Sequence, residues 1–140
     1  MSRRRVLVAT QGRCPAVALE HAAAFAGPGG EVVLASVLVV PHAQPIDASL
    51  DRSVADACAV LDAAERSVRD TTVFDTRLLR ARSFAEAVLD AMAAERFDVL
   101  IVELGGGGMR NGMRAQVEAL MERADATVVL VRPREAVQES

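Results

Sequence analysis

The sequence has no lysine, tryptophan or tyrosine, and each absence excludes a class of function. Without lysine there is no P-loop, because that motif needs a lysine to reach the nucleotide phosphates. The four phenylalanines are too few for the stacked aromatic platforms that bind single-stranded nucleic acids. The net charge is −3, and the only basic run is Arg3-Arg4-Arg5. We therefore expect no nucleic-acid partner.

Cysteines and long apolar runs are also scarce. Cys14 and Cys58 are far apart and fit no metal-ligand or redox spacing. No stretch approaches the length of a membrane-spanning helix, and no signal-length apolar segment is found near the N-terminus. We therefore expect a cytoplasmic protein that does not associate with membranes.

Short apolar runs alternate with amphipathic or alanine-rich segments along the 140 residues. We expect one α/β domain over residues 1–134 and a polar tail over 135–140. The apolar runs predict five strands, at 6–9, 32–40, 73–79, 99–102 and 128–131. The segments between them predict four helices, at 16–26, 54–69, 84 to about 96, and 113–123. Right-handed crossovers place helices on both faces of a mainly parallel, doubly wound sheet, so the domain is expected to be Rossmann-like.

Five residues give more detailed signals about the helices. Pro15 is expected at the first position of the first helix, and Ser53 at the N-cap of the second. Ser83 and Glu86 predict a capping box at the start of the third helix. Cys58 falls on the apolar face of the second helix, which predicts a core position.

Glycines mark the ends of two predicted strands. Gln11-Gly12 follows the first strand, and a run of four glycines at 105–108 follows the fourth. Ligands bind open α/β sheets beyond the carboxyl ends of the strands, where a bare backbone can approach a phosphate closely. If the first and fourth strands are neighbours, these loops form one crevice. A tight turn at Gly12 and a glycine loop without a ligand are the alternative interpretations.

Four segments, in this order and spacing, resemble the universal stress protein (UspA) family. They are VLVATQG at 6–12, SFAEAV at 83–88, FDVLIV at 97–102 and ADATVVLVRP at 124–133. The resemblance covers nearly the whole chain, from Arg4 to Pro133. It implies one five-stranded sheet in the order 3-2-1-4-5. It also implies homodimers formed through the last strand, here Val128, Val129, Leu130 and Val131; an apolar edge strand left unpaired would favour aggregation.

Nucleotide-binding members of that family carry an Asp after the first strand and a G-x-x-G-(nine residues)-G-[ST] signature after the fourth. In this sequence the Asp position is Gln11, the first signature glycine falls on Glu103, and Gly106 matches the second. The final pair falls on Arg114-Ala115, and seven residues instead of nine separate it from Gly106.

These departures predict weak or absent ATP binding in the usual family manner. The Glu103 carboxylate would repel nearby phosphates by an amount on the order of several kcal/mol. Ala115 lacks the hydroxyl that would bind a phosphate. Arg110 or Arg114 could replace it, although an ion pair with Glu103 is the favoured interpretation. Gln11 could still bind a base or ribose. The candidate crevice comprises Thr10, Gln11, Gly12, Val39, Glu103, Gly105, Gly106, Gly107, Gly108, Arg110, Gly112, Arg114 and Ala115.

The other titratable residues give weaker signals. His21 in the first helix and His42 in the loop after the second strand are expected to be ordinary side chains, although His42 could contact a ligand. Cys14 at a helix start could have a lowered pKa, but an inert cap residue is favoured. The sequence contains no nucleophile–base set, paired carboxylates or metal-ligand motif.

Three functional hypotheses follow. The first is a regulatory or ligand-binding domain that is not an enzyme and binds no metal. The second retains adenine-nucleotide binding (ATP, AMP or cAMP), with Arg110 or Arg114 as the substitute phosphate ligand. The third, ranked lowest, is a slow ATPase. The only cofactor that the resemblance suggests is ATP or another adenine nucleotide.

Overall fold

The computed structural model describes residues 4–11, 14–46, 51–67, 73–104 and 112–133, which alternate between strand and helix. The strands are β1 (Arg5–Thr10), β2 (Glu31–Val39), β3 (Val73–Ala81), β4 (Val99–Glu103) and β5 (Thr127–Val131). The helices are α1 (Ala16–Ala26), α2 (Asp51–Ser67), α3 (Phe84–Ala94) and α4 (Met113–Arg123). None of the described helices is both long and apolar enough to cross a lipid bilayer.

The five strands form one parallel sheet in the order β3-β2-β1-β4-β5. The predicted doubly wound α/β fold and its strand order are therefore confirmed. β1 lies at the centre, where Thr10 pairs with Ser36 of β2 and Ala9 pairs with Val102 of β4. The chain builds outwards from β1 to β3, and then returns to the other side of β1 for β4 and β5. The strand order thus reverses between β1 and β4.

Helices cover both faces of the sheet, because successive strand residues point to opposite faces and both sets are apolar. On one face, Val8 and Ile101 pack against α1 and against Leu61 of α2. On the other, Leu7 and Leu100 pack against α3 and α4. The largest side chains with almost no exposure are Leu7, Leu34, Leu100, Ile101 and Leu120. Burial of each such leucine or isoleucine contributes about 1.5–3 kcal/mol to folding.

Helix α2 departs from its prediction in two ways. It begins at Asp51, so Ser53 lies within its first turn rather than at its N-cap. Cys58 is exposed rather than in the core. The helix packs through a narrow stripe in which Ala57 is buried and Leu61 is partly buried, and Cys58 lies on the solvent side of that stripe.

The other helices depart from their predictions only at their ends. Pro15 occupies the N-cap position of α1 rather than its first helical position. Helix α3 ends at Ala94, because Glu95 adopts an extended conformation. At the start of α3, the Ser83 hydroxyl accepts a hydrogen bond from the Glu86 N–H at 3.2 Å, as the capping box requires.

Charged side chains around Arg5 hold the amino edge of the sheet. Its guanidinium lies 2.8 Å from Glu31 and 3.2 Å from Glu95, and donates to the Arg96 carbonyl at 2.8 Å. It also lies 4.7 Å from the centre of the Phe97 ring. Arg5 therefore joins β1, β2 and the end of α3, at the edge opposite the predicted crevice.

Candidate functional site

The reversal of strand order places the candidate crevice at the carboxyl ends of β1 and β4. Thr10 and Glu103 are the last residues of these strands and lie one step beyond the Ala9–Val102 pair. Both are buried, and Gln11 next to them is exposed. The predicted neighbourhood of these strand ends is therefore present in the fold.

The Glu103 carboxylate occupies the N-terminus of α1. Its Oε1 accepts a hydrogen bond from the backbone N–H of Ala18 at 2.9 Å, and the residue is only 9% exposed. The first N–H groups of a helix have no partner within the helix and carry a partial positive charge. A carboxylate is the group that such a helix start binds best among ordinary side chains. Glu103 is thus a cap supplied by the neighbouring strand.

The sequence around α1 explains why the cap comes from so far away. Pro15 at the N-cap has no side-chain oxygen with which to cap the helix, and the first turn contains no acidic residue. The residues preferred at an N-cap are Ser, Thr, Asp and Asn, because their side-chain oxygens accept a hydrogen bond from a free N–H of the first turn. The sequence patterns described above do not predict this role of Glu103. The available signal was an uncapped helix start combined with a carboxylate at the end of a buried strand.

Cys14 shares this environment. It is partly buried and packs against the core cluster beneath α1. Burial raises the pKa of its thiol, and the negative charge of Glu103 raises it further. Burial first, and then the Glu103 charge, thus act against a lowered pKa of this thiol, in keeping with the favoured prediction of an inert residue.

Helix α4 approaches the crevice from the side of β4. Gly112 at its N-cap has φ +79°, a left-handed conformation that favours glycine. Arg114 and Ala115 in its first turn are exposed. The expected ion pair between Glu103 and Arg114 is absent from the described part of the chain, since Glu103 is bound to α1. Arg114 is therefore directed to solvent near a helix start without an acidic residue.

A second contact of this kind occurs at the start of α3, where the side chain of Gln116 from α4 binds a backbone N–H. Its Oε1 accepts a hydrogen bond from the Ala85 N–H at 2.8 Å. Glu103 of β4 and Gln116 of α4 thus each bind a backbone N–H at the start of a neighbouring helix.

Only some of the remaining predicted crevice residues are among those that the structure describes. Val39 is half-buried at the end of β2. Gly12, Arg110 and the glycines at 105–108 lie outside the described residues. The crevice as a binding site therefore stays a prediction, based on Thr10, Gln11, Glu103 and the first turn of α4.

The loop after β2 is held by Arg82, which lies between β3 and α3. The Arg82 guanidinium donates to the carbonyls of Pro41 at 2.5 Å and Gln44 at 2.7 Å. The Gln44 N–H in turn donates to the Pro41 carbonyl at 3.0 Å, which closes a turn. His42 in this loop is exposed, as is His21 on α1.

Other parts of the described structure offer little catalytic chemistry. No group of three His, Cys, Asp or Glu side chains that could hold a metal ion is found among the described residues. A groove lies at the amino edge between the ends of α3 and α4, lined in part by Met92, Phe97, Asp98 and Arg123. It is remote from the strand reversal, so the crevice remains the better candidate for a ligand site.

Comparisons with known proteins identify the fold. No protein-family model matches the sequence, and no curated protein is detectably similar to it. A universal stress protein solved in complex with cAMP superimposes with a TM-score of 0.63 at 17% identity, covering 96% of this chain and 100% of its own. One from Archaeoglobus fulgidus gives 0.67 at 13% identity, covering 91% and 93%. A family protein from Arabidopsis thaliana with AMP bound gives 0.57 at 14%, covering 94% and 93%. The chain therefore has the universal stress protein fold.

Proposed function

We propose that this chain is a universal-stress-protein-like regulatory domain that acts without catalysis, through ligand or partner binding. We further propose that it does not bind ATP in the usual family manner. The observation that carries this proposal is the buried Glu103 carboxylate at the strand reversal, bound to the start of α1.

The charge of Glu103 opposes a phosphate in the crevice. Two unit negative charges about 5 Å apart in a medium of effective dielectric about 20 repel each other by about 3 kcal/mol. A penalty of that size weakens binding by more than about a hundredfold. A phosphate would also compete with Glu103 for the α1 N–H groups, which are already satisfied in part.

Calorimetric titration with ATP, AMP and cAMP, each with and without Mg²⁺, tests the proposal. The expected result is no ATP binding in the micromolar range. Micromolar ATP binding would contradict it. Phosphate release from ATP in the presence of Mg²⁺ would contradict the non-catalytic part and support a slow ATPase instead.

Adenine-nucleotide binding is the second candidate function, because Arg114 is exposed in the first turn of α4 and no described residue pairs with it. Two of the similar structures hold cAMP and AMP. In this case Arg114 would bind the phosphate in place of the missing signature residues. Loss of nucleotide binding in Arg114→Ala, with binding retained in the exposed-site control Arg123→Ala, would support it.

Homodimerisation through β5 forms part of the proposed function. β5 is an edge strand of the sheet, and no other described strand pairs with its outer side. Leu130 on this strand is 36% exposed, and Val128 and Val129 are partly exposed. Pairing of β5 with a second copy would cover these side chains and satisfy the free edge.

A further inference from the structure

The start of α3 lies at the carboxyl edge of the sheet and is in contact with both sides of the candidate crevice. β2 and the loop that follows it lie on one side of β1, and β4, which leads to α4, lies on the other. Helix α3 begins at Phe84, after the carboxyl end of β3. One side chain joins its first turn to the start of α4, and another joins it to the loop after β2.

Gln116 forms the contact with the start of α4. Its Oε1 accepts a hydrogen bond from the backbone N–H of Ala85 at 2.8 Å, and its own backbone N–H donates to the Gly112 carbonyl at 3.3 Å. Ala85 is buried, so water does not readily replace this acceptor. The first N–H groups of a helix have no acceptor within it, so the first turn frays more easily when such a cap is lost. Gln116 thus fixes the start of α4 to the first turn of α3.

Arg82 forms the contact with the loop after β2. It directly precedes Ser83, whose hydroxyl accepts from the Glu86 N–H and caps the same turn of α3. The Arg82 guanidinium donates to the carbonyls of Pro41 and Gln44. On its other side the chain is held by the pairing of β3 with β2. The direction of the Arg82 side chain therefore depends on an intact start of α3 as well as on β3.

We propose that the first turn of α3, residues 84–87, is a relay that couples the start of α4 to the loop after β2, with Gln116 and Arg82 as its positioning residues. Its two states are the capped turn and a locally frayed turn, and loss of either contact favours the second. A ligand or partner that displaces the start of α4 loosens the loop after β2. One that orders this loop stabilises the start of α4, because such coupling is reciprocal. This role rests on the proposed function, in which the crevice receives the ligand or partner.

Hydrogen exchange of backbone amides measures the coupling in the full chain without any ligand. Gln116→Ala removes the acceptor of the Ala85 N–H and changes no residue of the loop after β2. We expect exchange to rise by about tenfold or more at the Ala85 amide, and by about threefold or more at the Gln44 amide, which donates to the Pro41 carbonyl. An unchanged Gln44 amide would overturn the relay. Gln116→Asn, whose side chain is one methylene shorter, replaces Gln116→Ala if that variant does not fold.

Two variants on α4 and one distant amide serve as controls. Gln116→Glu keeps a side-chain oxygen for the Ala85 N–H and places a carboxylate at a helix start, so both amides should stay protected. Glu118→Ala changes an exposed side chain on the same helix and should affect neither amide. The Asp98 amide at the amino edge, which also donates to a backbone carbonyl, reports a general loss of stability. Equal rises at Asp98 and Gln44 in Gln116→Ala would overturn the proposal.

The double variant Arg82→Ala, Gln116→Ala tests whether the two contacts act through one turn. If they do, exchange at Gln44 should rise by about tenfold, as in Arg82→Ala alone, rather than by the product of the two single effects, about thirtyfold. Multiplicative effects would show two independent contacts and would overturn the relay. Such a result would leave the proposed function intact. Micromolar ATP binding by wild type would instead contradict the proposed function and leave the relay unaffected.

Discussion

At the residue scale, the two cysteines lie in contrasting environments. Cys14 is partly buried, and its pKa is raised by burial and then by the charge of Glu103. Cys58 is exposed on α2. Because the thiolate is the nucleophile and reagents must reach it, the two thiols should react at different rates.

We predict that iodoacetamide modifies Cys58 faster than Cys14. The Cys14 rate should rise only at higher pH than that of a free cysteine peptide, since a raised pKa keeps the Cys14 thiol protonated over a wider range. Mass spectrometry of Cys14→Ser and Cys58→Ser proteins over a pH series measures each thiol alone. Glu103→Gln should shift the Cys14 profile towards lower pH. Cys14 reacting as fast as Cys58 at every pH would contradict the described environment.

Arg5 is the second residue with a measurable role. We predict that Arg5→Ala lowers the free energy of unfolding by about 1–2 kcal/mol, the sum of two partly exposed ion pairs and a cation–π contact. Urea unfolding measures the change. Arg52→Ala serves as the control, because Arg52 is exposed on α2 and alanine favours a helix. Equal losses in the two variants would contradict the role of Arg5 at the amino edge.

At the element scale, a side chain from the β3–α3 connection binds the described part of the loop after β2. Arg82 binds backbone carbonyls of Pro41 and Gln44, so it orders a loop that has little apolar burial of its own. We predict that Arg82→Ala raises hydrogen exchange at the Gln44 amide by about tenfold, because the turn then opens locally. Arg96→Ala, at an exposed site on the opposite edge, should leave this exchange unchanged. Unaltered protection in Arg82→Ala would show that the loop is held by other contacts.

The elements differ in how well sequence alone predicts them. The strands and α1 are well predicted, because their apolar runs and alanines agree with the burial they acquire. The start of α2 is not, since Ser53 resembles an N-cap although the helix already begins at Asp51. The prediction of a core position for Cys58 is wrong, because a helical period assigns a residue to a face only to within about one position. Only a narrow stripe of α2 is buried, and Cys58 lies just outside it.

The candidate site is harder to predict from the sequence than the helices and strands are. The positions of Thr10 and Glu103 at neighbouring strand ends follow from strand order, which the family resemblance implied. The contact between Glu103 and α1 joins residues 85 positions apart. No local pattern encodes such a contact. The expected ion pair with Arg114 is not found among the described residues, where the Glu103 carboxylate binds the Ala18 N–H instead; Arg110, the other expected partner, lies outside them.

At the scale of the whole molecule, the exposed edge of β5 determines the expected assembly. We predict a dimer for wild type in size-exclusion chromatography with light scattering, and a monomer for Leu130→Glu, because a buried charge on the paired edge is costly. Ile46→Glu is the matched control, since Ile46 is 45% exposed in the loop after β2. A wild-type monomer at micromolar concentration, or a dimer that survives Leu130→Glu, would contradict pairing through β5.

The molecule as a whole combines the universal stress protein fold with a buried carboxylate, that of Glu103, which lies at the strand reversal and is bound to the start of α1. The most direct test is a crystal structure of the wild-type protein grown with millimolar AMP. We predict that the Glu103 carboxylate lies within hydrogen-bond distance of the Ala18 N–H, with no phosphate at the start of α1. A phosphate bound to the first N–H groups of α1, with Glu103 turned away from them, would contradict the account.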